Sequence, residues 1–267
     1  MHKQWSRAMN YKDFIKKYRI PDDNYIKSGL KWANLMAIVE DYDKTFMNLF
    51  QAANSIAERL RNIPKAHSVK TRIKESDHLI EKIIRKSLEN SEVRIAIDNY
   101  RNIVIDLAGV RVMHLFKNDW DDIHEYIINE WETIEKPKAY IREGDEKNRY
   151  TDKGCVVENH PYGYRSVHYI IKTQPTKEPV IVEIQVRTIF EEAWSEIDHK
   201  MRYPYDKDNP ILMPYLKIFN GLAGSADGMG SYIQYLKGKI DETAEVHKME
   251  VNKLSCIIED LKVKIDK

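Results

Sequence analysis

Cysteine is scarce in this chain of 267 residues: Cys155 and Cys256 are the only two, and they stand far apart. Two distant thiols make neither a ligand cluster nor a disulfide framework, and a chain of this length can bury a full core without such staples. The expected compartment is reducing, intracellular and cytoplasmic. Long apolar runs are missing too. The best stretch, 102–116, is interrupted by Asp106, Arg111 and His114, and the opening MHKQWSRAMN lacks the apolar centre of a signal peptide, so no membrane span and no export signal are expected. Net charge is nearly absent: 43 Lys+Arg against 42 Asp+Glu leave +1. That balance excludes bulk polyanion binding and leaves room only for a local basic patch.

What is present begins with periodicity. Residues 30–62 place Leu30, Ala33, Ile38, Tyr42, Phe46, Leu49, Ala53, Ile56 and Leu60 at steps of three and four, which predicts a long amphipathic helix. Ahead of it, YKDFIKKYRIPDD predicts a short basic helix carrying Lys12, Lys16, Lys17 and Arg19 and stopped by Pro21. From Ser68 the period becomes two, with Val69, Thr71 and Ile73 on one face and Lys70, Arg72 and Lys74 on the other. Cations two residues apart in a strand sit roughly 7 Å from one another, a repulsion of about 0.6 kcal/mol per pair in water, so that face calls for an anionic neighbour. The next helix, ESDHLIEKIIRKSL, is expected to bury Leu79, Ile80, Ile83, Ile84 and Leu88, to turn Lys82, Arg85 and Lys86 outward and to take Ser76 as its N-cap.

Residues 103–116 read as a turn around Asp106 and Gly109 followed by a core strand through Val110 and Val112. A helix over 121–131, a strand over 133–141, a mobile loop over 143–154 and two strands, SVHYIIKT and PVIVEIQVRT, are predicted beyond it. In the last, Val182, Ile184 and Val186 face one way and Glu183, Gln185 and Arg187 the other. FEEAWSEIDHKMRYP predicts a helix with Phe190, Trp194 and Ile197 at core spacing, closed before Pro204. Residues 231–267 alternate apolar steps of three and four, polar in the middle, which suits pairing with another helix: residues 30–62 of the same chain or a helix of a second copy.

The usual phosphate and metal devices are missing: there is no G-x-x-x-x-G-K-[ST], G-x-G-x-x-G, H-E-x-x-H or C-x-x-C, and no His-Asp dipeptide. A distributed set remains: the cations Arg72, Lys74, Lys82, Arg85 and Arg111, the acids Asp106 and Glu183, and Tyr164, Arg165, Ser166, His168 and Gln185 on two strands. A triphosphate needs cations, its Mg²⁺ needs one or two carboxylates, and a base needs planar groups to stack on. Each residue alone has a plainer reading. Arg72 and Lys74 suit the protection of an edge strand, Asp106 a turn, and Glu183 a solvent-facing acid.

Their order decides between the readings. R-I-K with a lysine eight positions on (Arg72, Lys74, Lys82), DLAGVRV (Asp106, Arg111), GYRSVHY (Gly163 to Tyr169) and VEIQVRT (Glu183, Gln185, Arg187) followed by EEAWSEIDHKMRY resemble, in sequence order, the synthetase domain of the RelA/SpoT family, small alarmone synthetase type. The resemblance implies an α/β (α+β) fold, a mixed β-sheet flanked by helices and nucleotidyltransferase-like, here with long N- and C-terminal helices. It implies an ATP-dependent pyrophosphokinase that moves the β,γ-pyrophosphate of ATP onto the 3′-hydroxyl of GDP or GTP. Arg72 and Arg111 would then flank the adenine, Lys74 and Lys82 hold phosphates with Arg85 nearby, Asp106 and Glu183 hold Mg²⁺ and act in catalysis, and Tyr164 stack on the acceptor base beside Arg165, Ser166, His168 and Gln185. The missing His-Asp motifs imply synthesis without the hydrolase of the longer members. One departure opens an alternative: the approach Asn159-His160-Pro161-Tyr162-Gly163-Tyr164 lacks the lysine that usually holds the acceptor's 5′-phosphates. A toxic branch of the family, neutralised by an antitoxin protein, pyrophosphorylates the 3′ end of tRNA. The basic segment Arg7, Lys12, Lys16, Lys17 and Arg19 would suit an acceptor stem, and Lys147, Arg149 or Lys153 would equally replace the missing lysine. Three units are expected: an N-terminal helical segment (1–44), the synthetase domain (45–205) and a C-terminal helical extension (206–267).

Overall fold

The computed structural model describes residues 10–90, 92–202 and 209–265; Arg7 and Pro204 lie outside them. Two short helices, α1 (Tyr11–Lys17) and α2 (Asp22–Lys27), precede the 30-residue α3 (Trp32–Arg61). Then follow β1 (Ser68–Ile73), α4 (Ser76–Glu89), α5 (Tyr100–Ile103), β2 (Ala108–His114), α6 (Asp119–Glu130), β3 (Lys138–Ile141) and α7 (Asn148–Thr151). The chain continues through β4 (Val156–Asn159), β5 (Ser166–Thr173), β6 (Val180–Thr188), α8 (Ile189–Arg202) and the 54-residue α9 (Leu212–Ile265). The strands form one mixed sheet in the order β1-β2-β6-β5-β3-β4, in which β2/β6 and β3/β4 run parallel and the other pairs antiparallel.

Strand parity divides the sheet into a core face and a site face. Val110, Val112, Val182, Ile184 and Val186 are buried against α3, whose Ala52, Ala53 and Ala57 let its backbone approach while Leu49, Ile56 and Leu60 fill the layer. Leu79, Ile80, Ile83 and Ile84 of α4 extend the same core. Under β5, α6 contributes Trp120 and His124, which meet the Tyr169 hydroxyl at 3.0 Å each, so a buried phenol is satisfied twice.

Several expected details differ. Glu75 is the N-cap of α4; Ser76 is its first helical residue, with its hydroxyl on Asp43 at 3.1 Å. Leu88 is exposed, because α4 ends beyond the edge of the core. The turn before β2 centres on Asp106, and Gly109 lies inside the strand. The strand expected over 133–141 shortens to β3, with Thr133 making an isolated bridge to Ile171. The stretch 143–154 contains α7, and β4 follows as a short edge strand that its brief, half-polar VVEN did not announce.

α8 inverts its expected pattern. Phe190 and Ile197 are exposed, only Trp194 of the three is buried, and Glu192, Asp198 and Arg202 face inward. Charges on the site face of the sheet account for this. The C-terminal helix does not pack on α3: its first part rests on α8, where the Trp194 indole donates to the Leu216 carbonyl at 3.1 Å, and every residue from 235 to 259 is exposed.

Candidate active site

Cross-strand register assembles the site before any side-chain contact is considered. One row across the sheet reads Arg72, Gly109, Glu183, and the next reads Lys70, Arg111, Gln185, His168, Lys138. Adjacent strands lie about 4.8 Å apart, so residues from five strands share one patch of the site face. Gly109 matters here by its volume. A Cβ there would sit 3.6 Å from the Glu183 carbonyl oxygen and 3.8 Å from that of Arg72. A longer side chain would project between the two functional residues.

At one end of the first row is a carboxylate held by two lysines. The Lys74 backbone N–H donates to the Leu107 carbonyl at 3.0 Å, which ties the end of β1 to the turn entering β2. That junction brings Lys74 Nζ and Lys82 Nζ to the same Asp106 oxygen, at 2.9 and 2.8 Å. Lys82 therefore turns onto the site instead of outward as expected. Burial pushes the Asp106 carboxyl up, but the two ammonium groups outweigh it and hold it at about 2. Burial lowers Lys74 and the facing Asp106 only partly opposes this. The second oxygen of Asp106 is buried and has no hydrogen-bond partner among the described residues.

At the other end, a polar chain runs from Tyr164 to Glu183. The Tyr164 hydroxyl lies 2.9 Å from His168 Nε2, and His168 Nδ1 lies 3.0 Å from Glu183 Oε1. Gln185 donates to the other Glu183 oxygen at 2.8 Å. Burial alone would lower the His168 pKa; the Tyr164 oxygen and the Glu183 carboxylate reverse that and raise it to about 9, so the ring is cationic at neutral pH. Burial raises Glu183, and the charged His168 more than offsets it, leaving the carboxyl below its ordinary value. Tyr140 and His160 stand around the Tyr164 ring with centroids at 5.9 and 5.3 Å, and the Arg187 guanidinium lies 5.3 Å from its centroid.

Sequence reasoning missed Tyr140 and His160, and it missed the acids that hold the cations. Arg111 pairs with Glu192 at 3.2 Å and with Glu196; Arg187 pairs with Glu192 at 3.3 Å. Glu192 and Glu196 are one helical turn apart on α8, a spacing that in hindsight marks a carboxylate face. Other expected members lie apart. Arg85 pairs with Glu81 and Glu89 along α4. Arg165 is buried away from Tyr164, with its nitrogens 3.5 to 3.9 Å from Glu191, Asp145 and Asp227. Ser166 is buried and donates to the Val186 carbonyl at 3.3 Å, close enough to Tyr164 to bond it as well.

The loop leading into β5 is fixed from below by α9. Gly163 has φ +76, and the Asn220 amide donates to its carbonyl at 2.9 Å. A Cβ at Gly163 would meet Asn220 Oδ1 at 3.0 Å, so both backbone and space require glycine there.

A hard divalent cation that takes most of its ligands from water needs one or two carboxylate oxygens from the protein, and both Glu183 oxygens here already accept a hydrogen bond each. The unpartnered Asp106 oxygen fits that role. Among the described residues a three-donor group occurs at Glu75, Asp77 and His78, where Asp77 already takes Lys17 at 2.6 Å.

The model of the region found in RelA / SpoT proteins matches residues 71–208. GTP pyrophosphokinase YwaC of Bacillus subtilis is 28% identical over 192 residues, 66% of this chain and 82% of its own. GTP pyrophosphokinase YjbM of the same organism is 29% identical over 144 residues, 52% of this chain and 57% of its own. The solved small alarmone synthetase 1 from Bacillus subtilis superposes with a TM-score of 0.57 at 21% identity, covering 75% of this chain and 98% of that chain, a likeness of fold.

Proposed function

Since the chain belongs to the RelA/SpoT family, we propose that it is an ATP-dependent pyrophosphokinase that transfers the β,γ-pyrophosphate of ATP to the 3′-hydroxyl of GDP or GTP, making the alarmone (p)ppGpp. The observation that carries this reading is that the Asp106 carboxylate, in the turn entering β2, lies near enough to Glu183 on the site face to act on it, between the cations of β1, β2 and α4 and the Tyr164–His168 pair.

In this reading the cations on the Asp106 side receive ATP. Lys74 and Lys82 exchange Asp106 for phosphate oxygens, which keeps an anion facing two largely buried ammonium groups. Arg72 and Arg111, diagonal neighbours on the same face, offer planar cations to the adenine. Mg²⁺, held by Asp106 and Glu183, would neutralise charge that develops on the transferring group. Glu183, with its two oxygens bound by His168 and Gln185, orients the acceptor hydroxyl and accepts its hydrogen bond, and Tyr164 with Tyr140 supplies the stacking surface for the acceptor base. The catalytic unit would be 45–205, flanked by helical extensions, although the boundary at 44 falls inside α3.

The tRNA reading draws on one specific observation, the lysine missing before Tyr164. Of the residues expected to replace it, Arg149 and Lys153 both pair with Asp121, at 2.7 and 3.4 Å, and Lys147 is exposed. The basic α1 packs toward α4, with Lys17 on Asp77 and Tyr18 against His78, next to Lys74 rather than beside β3–β5. That position suits a stem less well than the sequence suggested. An antitoxin and a cytoplasmic location belong to the same set of expectations; no described helix is long and apolar enough to cross a membrane. The deciding experiment incubates the protein with γ-labelled ATP and GDP, GTP or bulk tRNA. Label in a guanosine nucleotide supports the alarmone reading, and label in tRNA alone overturns it.

A further inference from the structure

The C-terminal half of α9 has no packing partner among the described residues. Every residue from 235 to 259 is exposed, including Ile240, Leu254 and Ile257. From residue 233 to residue 261 the helix extends about 42 Å. A solvated helix carrying an apolar stripe at both ends of this stretch is an unfinished structure, since helices in water draw most of their stability from packing such a stripe.

The stripe has a heptad register. Ile233, Ile240, His247, Leu254 and Leu261 take the a positions, and Met229, Leu236, Thr243, Glu250 and Ile257 the d positions. Thr243 is polar in name only, because its hydroxyl donates to the Lys239 carbonyl at 2.8 Å and leaves its methyl for the seam. His247 and Glu250 are the two polar seam residues with no partner among the described residues, and they sit at adjacent a and d positions at the middle of the stripe.

Complementarity selects both the partner and the direction. In a parallel, in-register pair each layer meets its own copy, so Glu250 would face Glu250, a like-charge contact at the centre of an apolar seam. In an antiparallel pair centred between residues 248 and 249, a faces d: His247 meets Glu250 of the partner subunit twice, Thr243 meets the partner's Leu254, Ile240 the partner's Ile257, and Leu236 the partner's Leu261. From residue 236 to residue 261 every other layer then pairs apolar surface with apolar surface and both polar residues are satisfied, while Met229 and Ile233 fall outside the paired stretch. We infer that two copies of this chain associate through residues 236–261 of α9 as an antiparallel helix pair. The inference stands apart from the enzymatic reading, which uses none of these residues.

Sedimentation equilibrium of the full chain at micromolar concentration tests it. Wild type is expected to associate, with a dimer at twice 31.6 kDa, and Leu254→Asp, an exposed site outside the catalytic unit, to remain folded by circular dichroism but to lose that association. Glu250→Lys should weaken association by roughly tenfold or more, and the double change His247→Glu with Glu250→Lys should restore it. Direction is read by cysteine pairing in a Cys256→Ser background, where the remaining Cys155 is buried. Mixed Leu236→Cys and Leu261→Cys chains should form a disulfide-linked heterodimer, while neither alone links efficiently. A monomeric wild type leaves the stripe to a different protein and overturns the inference. So does Leu254→Asp that assembles like wild type, or efficient linking of Leu236→Cys alone, which reports a parallel pair.

Discussion

His168 Nδ1 lies 3.0 Å from Glu183 Oε1, and this contact, together with the Tyr164 oxygen at the other ring nitrogen, raises the pKa of His168 and lowers that of Glu183. The folded-state pKa of His168 is raised to about 9 against 6.5 for an ordinary histidine. A base raised on folding contributes stability that is complete below pH 6.5 and is lost as pH climbs through 9. His168→Gln should therefore lower the melting temperature at pH 6 and converge with wild type near pH 10. It should also cut turnover at least tenfold at neutral pH, because Glu183 loses the cation that fixes it. Melting curves across that range check the first expectation, and the pH profile of turnover the second.

Asp106→Asn is expected to abolish pyrophosphate transfer and to destabilise the fold as well. Lys74 is 8% exposed and would keep its charge with no carboxylate facing it. Breaking a buried pair from one side costs about 3 to 5 kcal/mol. Adding Lys74→Met should recover most of the lost stability and none of the activity. Denaturant unfolding beside a labelled-ATP assay separates the two effects; an active Asp106→Asn would remove this carboxylate from the chemistry.

Arg111 pairs with Glu192 and Glu196, so under the proposed function ATP competes with α8 for it. Arg111→Ala should raise the ATP KM by roughly tenfold, corresponding to the ~1 to 3 kcal/mol of a base stack. Glu196→Ala removes the more exposed competitor and should leave the KM equal or lower. If Arg111→Ala changes only the acceptor KM, donor and acceptor sides have been exchanged.

The two acceptors differ in their response to salt. Lys12 and Lys16 of α1 are exposed and lie outside the sheet-face site. If tRNA is the acceptor and contacts them, replacing both by Gln should flatten the log-log salt slope of acceptor use by about 0.7 to 0.9 per lost phosphate contact. With GDP or GTP the double variant should match wild type at every ionic strength.

Much of this site was legible in the sequence because strand parity places residues without reference to the rest of the chain. Glu183, Gln185 and Arg187 had to share a face, and Val182, Ile184 and Val186 the other, once PVIVEIQVRT was read as a strand. The nucleotide chemistry was legible through motif order. Register across strands was not, since the facing of Arg72, Gly109 and Glu183 depends on β6 inserting beside β2 from far along the chain. Long-range ion pairs were hidden for the same reason. Arg165 was grouped with the acceptor site through the GYRSVHY motif, yet in the segment leading into β5 its guanidinium lies against Glu191, Asp145 and Asp227. α8 misled most, because its spacing proposed a core of Phe190 and Ile197 where the sheet presents arginines.

That inversion gives α8 a thermodynamic character unlike the rest of the core. It meets the sheet through the buried Glu192, the more exposed Glu196 and Ser195 on Arg111 and Arg187, while Ile189, Phe190, Ile197 and Met201 stay in water. Polar surface hidden on docking lowers the heat capacity of opening where apolar surface would raise it. Detachment of α8 should thus depend weakly on temperature and strongly on ionic strength. Amide exchange along 189–202 is expected to quicken with added salt at fixed temperature, while exchange in α3, held by its alanine and leucine layer, stays slow.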